Sequence, residues 1–124
     1  MTPQAARAKG ARWEQDCAEY LQTHGWPYAE RRHLSGAFDR GDITGVPAVM
    51  IECKHERTYK PAEWLREADV QAVNDSARVA AVWARLNGKP GAGNGVIFQR
   101  PDQFLRLLIE AGYGTPLSAP LSSG

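Results

Sequence analysis

The fold class this chain predicts is α/β, a mixed β-sheet flanked by helices. Three observations predict it. Ala48–Lys54 and Val79–Leu86 are apolar runs of strand length. Between them, Pro61–Asn74 carries apolar residues at helical spacing. Before them, residues 4–24 do the same. Strands alternating with helices along one chain are the signature of that class. The first helix places Trp13, Cys17, Tyr20 and Leu21 on one side and Arg12, Gln15, Glu19 and Gln22 opposite. Gly25 is its stop signal. Trp26–Leu34 reads as a strand, residues 35–41 as a loop, and Asp42–Thr44 as a short strand that turns through Gly45-Val46-Pro47 into Ala48–Lys54. Pro61 suits the first turn of the second helix, whose expected apolar face is Leu65, Ala68, Ala72 and Val73. Asn87–Gly95 reads as a glycine-rich loop and Val96–Phe98 as a short strand. Pro101–Ala111 reads as a helix with Phe104, Leu105, Leu108 and Ile109 facing inward. The order is α-β-β-β-α-β-β-α, with one domain over 1–112 and a Gly/Pro/Ser-rich tail over 113–124.

The chain has 124 residues, 43% of them apolar, which suits one domain with a real core. A net charge of +1 does not announce a nucleic-acid binder. Basic residues do gather early in the chain, at Arg7, Lys9, Arg12, Arg31, Arg32 and Arg40, so a local basic surface is compatible with that balance. Cys17 and Cys53 read as reduced, buried thiols. No signal peptide, lipidation motif or apolar run of about 20 residues is present. The expectation is a cytoplasmic protein with no membrane partner.

Ile51-Glu52-Cys53-Lys54 is the most informative stretch. On a strand, residues i and i+2 share a face, so Glu52 and Lys54 project together. Glu52 ends an apolar run, where a solvated charge is not expected unless the strand emerges at a sheet edge or end. Asp42 lies ten residues earlier, across a turn, and two adjacent strands can bring it to the same point. Glu14 falls within the apolar arc of the first helix, where an unpaired carboxylate is costly to bury. It reads either as a rim residue or ion pair, or as a carboxylate delivered to a metal site. Mg²⁺ takes oxygen ligands and keeps several waters, so two or three carboxylates suffice. A nearby lysine can orient the attacking water, stabilise developing charge or help remove a proton. This is chemistry suited to phosphodiester hydrolysis.

Taken in order, Lys9-Gly10-Ala11-Arg12-Trp13-Glu14, Gly41-Asp42-Ile43 and Ile51-Glu52-Cys53-Lys54 resemble the PD-(D/E)XK nuclease superfamily. Within it, the chain is similar to archaeal-type Holliday junction resolvases and to resolvase-like endonucleases of actinobacterial phages, from about Lys9 to Leu108. The resemblance implies a restriction-endonuclease-like core. It also implies Mg²⁺, with Mn²⁺ as substitute, held by Glu14, Asp42 and Glu52, and Lys54 as the catalytic lysine. Ser35 would match a loop serine near the scissile strand, and Lys9, Arg12, Arg31 and Arg32 would contact phosphates. The implied enzyme is a homodimer whose two sites cut opposing strands of a four-way DNA junction; if phage-encoded, it would act in the host-cell cytoplasm. Two positions depart from the pattern. Gly41 stands where the superfamily name has proline, and Cys53 where a β-branched residue is more usual.

Other signals are weaker. No Cys/His spacing suits structural zinc. Gly88–Gly95 lacks the ending of a phosphate-binding P-loop, so no nucleotide cofactor is expected. His55 and Lys60 are further candidate DNA contacts, although a solvated loop histidine is the plain alternative for His55. Arg31-Arg32-His33 reads as a phosphate patch or an exposed strand end, and Trp64 as core or as part of a dimer or DNA surface. Two rivals to the junction resolvase remain. One is a related nuclease acting on other duplex or branched DNA. The other is a binding module of the same fold without catalysis.

Overall fold

The structure, a computed structural model, describes residues 1–33 and 40–115. Three helices and five strands follow one another as α1 (Pro3–Gln22), β1 (Glu30–Arg31), β2 (Ile43–Thr44), β3 (Val49–Lys54), α2 (Pro61–Asn74), β4 (Val79–Ala84), β5 (Val96–Phe98) and α3 (Pro101–Glu110). Each helix opens on a proline, whose missing N–H would have had no helical partner there. Thr2 caps α1, its hydroxyl accepting from the Ala5 N–H at 3.0 Å.

β3 and β4 pair in parallel, from Val49 opposite Val79 to Lys54 opposite Ala84, with α2 as the crossover. β5 adds to the far side of β4 antiparallel, so this three-stranded sheet is mixed. The helices cover its two faces. Trp13, Cys17, Ala18 and Leu21 of α1 pack with Ile51 and Trp83. Trp64 and Ala68 of α2 pack with Met50, Ala80, Val82 and Ala84. Strands covered on both faces read as near-continuous apolar runs, and this makes β4 (Val-Ala-Ala-Val-Trp-Ala) so plain in the sequence. The Trp13 indole donates to the Trp83 carbonyl at 3.0 Å, and the Trp83 indole to that of Ala92 at 3.1 Å, tying α1, β4 and the turn before β5 together.

Several expectations need correction. The β structure forms two sheets, because β1 and β2 pair separately as a short antiparallel ribbon. Only Glu30–Arg31 of the expected strand Trp26–Leu34 pairs. Its first half is a turn, closed by the Ala29 N–H on the Trp26 carbonyl, with Pro27 inside; Leu34 lies outside the described residues. α1 ends at Gln22, β4 at Ala84 and α3 at Glu110, each slightly earlier than expected. α2 buries Trp64, Ala68 and Gln71, a stripe at i, i+4 and i+7. The expected Val73 is 78% exposed.

α3 departs furthest. No residue of it is buried, and Phe104 and Leu105 stand 52% and 56% exposed. Its amphipathic period is real, but its attachment is polar. β5 pairs only with Val82–Ala84, which leaves the outer edge of β4 free at Ala80. Two glutamine side chains fill in for the missing strand. Gln103 Oε1 accepts from the Ala80 N–H at 2.6 Å, and Gln99 Nε2 donates to the Ala80 carbonyl at 3.3 Å. Arg100 pairs with Asp69 at 2.8 Å. Among the described residues, no helix is long and apolar enough to cross a membrane.

Trp64 is fully buried, with Tyr59 and Phe98 rings at 5.7 and 5.6 Å. Trp64→Ala is therefore expected to lower stability by about 3–5 kcal/mol. Val73→Ala should change it by less than about 0.5 kcal/mol. Urea denaturation of both variants checks the pair, and comparable losses would contradict the packing described.

Candidate metal and phosphodiester site

Alternation along β3 sends Ile51 towards α1 and Glu52 and Lys54 towards α2. Glu52 is 7% exposed. Gln71 of α2, itself buried, donates to Glu52 Oε2 at 2.5 Å. Lys54 Nζ donates to Glu67 Oε1 at 3.1 Å and stands 4.0 Å from Glu52 Oε2 and 3.9 Å from Glu56 Oε2. Glu52 and Lys54 thus share a face, as their spacing requires.

Asp42 approaches from the side. β3 is the outer strand of its sheet, and Asp42 lies along its free edge. The Asp42 N–H donates to the Ile51 carbonyl at 2.8 Å, and the Asp42 carboxylate accepts the Cys53 N–H at 2.7 Å. Gly41 makes this approach possible. Its φ is +93°, and a Cβ there would stand 2.7 Å from Met50 Sδ and 3.1 Å from the Ile51 carbonyl oxygen. Proline, with φ near −65°, has no access to this backbone. Glycine at this position therefore has a local physical cause.

The electrostatics follow from the burial. Desolvation and the neighbouring Asp42 carboxylate push the Glu52 pKa up to about 9, against the opposing pull of Gln71 and Lys54. A buried acid this close to a half-buried one favours sharing a proton or a cation over two bare charges. For Lys54, burial pushes the pKa down, but Glu52, Glu67 and Glu56 outweigh it, so the ammonium is held above its usual value. Lys54 is thus a cation at neutral pH.

Glu14 belongs to the other side of the sheet. Its Oε1 accepts from Arg31 Nε at 2.7 Å, the ion-pair alternative of the sequence reading. Burial and Asp42 still raise its pKa, with Arg31 opposing. Asp42 is therefore felt by both glutamates, which come from opposite faces of β3. Among the described residues, no group of three or more His, Cys, Asp or Glu side chains is drawn together tightly enough to hold a metal ion. What the fold brings together is the Asp42–Glu52 pair with Lys54 beside it. The donor chemistry suits a hard cation: both groups are carboxylates, one is buried, and burial disfavours its bare charge.

The other expected contacts divide. Lys9, His55 and Lys60 line a cleft that opens at Lys54. Arg12 lines the cleft next to it. Arg31 and Arg32 are engaged in ion pairs, with Glu14 and with Asp75 at 3.3 Å. Ser35 lies outside the described residues. Cys53 points to the α1 side with Cys17, both as free thiols. Glu67 and Gln71 went unnoticed in the sequence. They stand at i and i+4 on the face of α2 that carries Trp64 and Ala68, and two polar residues on that stripe are the signal that could have found them.

Comparison with family models, with curated proteins and with solved structures returns no match.

Proposed function

We propose that this chain is a metal-dependent endonuclease of the PD-(D/E)XK type that cuts branched DNA, with the four-way junction as substrate and a homodimer as the working form. The observation that carries the reading is the Asp42–Glu52 carboxylate pair, half-buried and buried respectively, with the Lys54 ammonium 4.0 Å from Glu52. Such a pair is hard to account for as packing, because it costs stability unless a cation compensates it.

Asp42 and Glu52 are the residues that would hold Mg²⁺, or Mn²⁺ in its place, and Glu14 would join through water. Bound there, the ion supplies a water of lowered pKa and neutralises charge on the scissile phosphate. The protein's own groups do the rest. Gln71 fixes the Glu52 carboxylate. The Asp42 carboxylate is fixed by the Cys53 N–H. Lys54, kept protonated by its three acidic neighbours, orients the attacking water and stabilises the charge that builds on the phosphate oxygens. Its raised pKa argues against a role as general base.

A second reading, a nucleic-acid-binding module without catalysis, is favoured by one observation, the engagement of Glu14 with Arg31. One experiment separates the two. Four-way junctions, flaps, single strands and plain duplex are incubated with the protein in Mg²⁺, with Glu52→Ala alongside. Cutting of the junction by wild type alone is the expected result. Equal cutting of plain duplex would remove the junction assignment, and no cutting of any substrate in Mg²⁺ or Mn²⁺ would favour the binding module.

A further inference from the structure

Two clefts adjoin here, and the larger opens at Lys54. The larger, of about 580 Å³, lies between the N-terminal half of α1 and the β3–α2 connection, and Lys9, Lys54, Arg57 and Lys60 line it. The smaller, of about 220 Å³, shares Lys9 and His55 with the first and adds Arg12 and Arg85. Together they form a trough with six Lys or Arg side chains from separate parts of the chain. Its acids are Glu56, which faces Lys54 at 3.9 Å, and Asp16. Lys9, Arg12, Arg57, Lys60 and Arg85 form no ion pair with any described residue. In a chain of net charge +1, five cations without an ion pair along one path, with Asp16 as the unpaired acid among them, is a marked segregation of charge.

Three further observations bear on what the trough holds. His55, at its middle, has its pKa lowered chiefly by burial and further by the cations Lys9, Arg85 and Arg12 around it. The walls are braced before any ligand arrives. The Tyr59 hydroxyl donates to the Arg85 carbonyl at 2.7 Å and accepts the Asn87 N–H at 3.1 Å, while Asn87 Nδ2 donates to the Arg57 carbonyl at 3.0 Å. Gly10, inside α1, lines the larger cleft. Glycine in a helix interior is less stable than alanine. Nothing in the fold asks for it here, since no atom lies within 4 Å of where its Cβ would stand. It bares helix backbone to whatever lies in the cleft.

We infer that the trough seats one nucleic-acid strand, its successive phosphates running from Lys54 past Lys9 to Arg12 and Arg85. Cations spread over two joined clefts suit an extended polyanion better than a single phosphate. The inference deepens the nuclease reading and rests on it for the fate of the phosphate at Lys54; binding along the trough is separable from cutting.

The test is fluorescence anisotropy with a fluorescein-labelled four-way junction and a labelled single strand in EDTA, over a range of KCl. Arg57→Ala/Arg85→Ala is expected to weaken binding of both at least tenfold. It should also flatten the log–log salt slope by about 0.7–0.9 per side chain removed. Arg66→Ala and Arg78→Ala, exposed and outside the trough, should change affinity less than twofold. Gly10→Ala should raise the melting temperature and still weaken binding. The inference is overturned by a double variant within twofold of wild type, by no wild-type binding at low salt, or by polyglutamate binding as tightly as DNA. Cutting in Mg²⁺ is followed on the same samples. Trough-dependent binding without cutting leaves the trough and removes the nuclease; cutting unaffected by the double variant does the reverse.

Discussion

Replacing Glu52 with glutamine is expected to abolish the proposed cutting and, in the metal-free protein above neutral pH, to raise stability. The two effects share one cause. In the unfolded chain the Glu52 carboxyl ionises near 4.5, and in the fold burial and Asp42 move it to about 9. Between those values the native state holds a proton that the unfolded state has released. Stability therefore falls as pH rises through the window, by up to about 1.4 kcal/mol per pH unit from this group. The contribution is fully present below about 4.5 and lost above about 9. From pH 5 to 8 the loss is at most about 4 kcal/mol. Glutamine does not titrate, and it keeps an oxygen for Gln71 to donate to. Thermal melts in EDTA from pH 5 to 8 are the measurement. The wild-type curve should rise as pH falls, and the Glu52→Gln curve should stay flatter and cross above it at the alkaline end. Comparing the two cancels other groups such as His55, whose lowered pKa acts in the opposite direction. Adding Mg²⁺ to wild type should flatten the slope as the mutation does, because a cation takes the ionised carboxylates. Parallel curves for wild type and variant would refute the burial of Glu52 beside Asp42.

Gly41→Pro is expected to destabilise the chain and to abolish the proposed cutting. The native φ of +93° lies far from the −65° that proline imposes. The segment would have to rebuild, and Asp42 is the next residue. An incompatible proline of this kind destabilises by about 3 kcal/mol or more. Gly41→Ala should be milder, with a positive-φ penalty of about 1–2 kcal/mol plus the approach to Met50 Sδ and the Ile51 carbonyl. Urea midpoints order the three proteins as glycine, alanine, proline. A proline variant as stable and active as wild type would mean that Asp42 is not held in the way described.

Most of the fold was legible because its strongest signals are local. α2, β3, β4 and β5 lie close to where periodicity and apolar runs put them, since a strand covered on both faces and a helix opened by proline each declare themselves within a few residues. Elements that depend on distant partners were harder. Trp26–Ala29 is apolar enough for a strand, but Pro27 and the turn onto Trp26 decide otherwise. Phe104 and Leu105 have the right spacing for a buried face, but the described chain leaves each of them about half exposed. The site divides likewise. Glu52 and Lys54 were legible from strand alternation alone. Asp42 needed only a short turn. Glu67 and Gln71 come from the facing helix, and the error of one helical position that put Val73 inside hid both.

The edge position of Asp42 has a consequence beyond the proposed chemistry. β3 is a rim strand, and an open rim invites a stranger's backbone to zip onto it. Asp42 occupies the Cys53 N–H with its side chain and the Ile51 carbonyl with its main chain, and it brings a negative charge to that border. The acid proposed for the chemistry thus also guards the molecule against self-aggregation. A hydrophobic substitution at 42 would open the rim as well as silence the site, so such variants should accumulate as insoluble protein, whereas asparagine, able to accept the same hydrogen bond, should remain in solution.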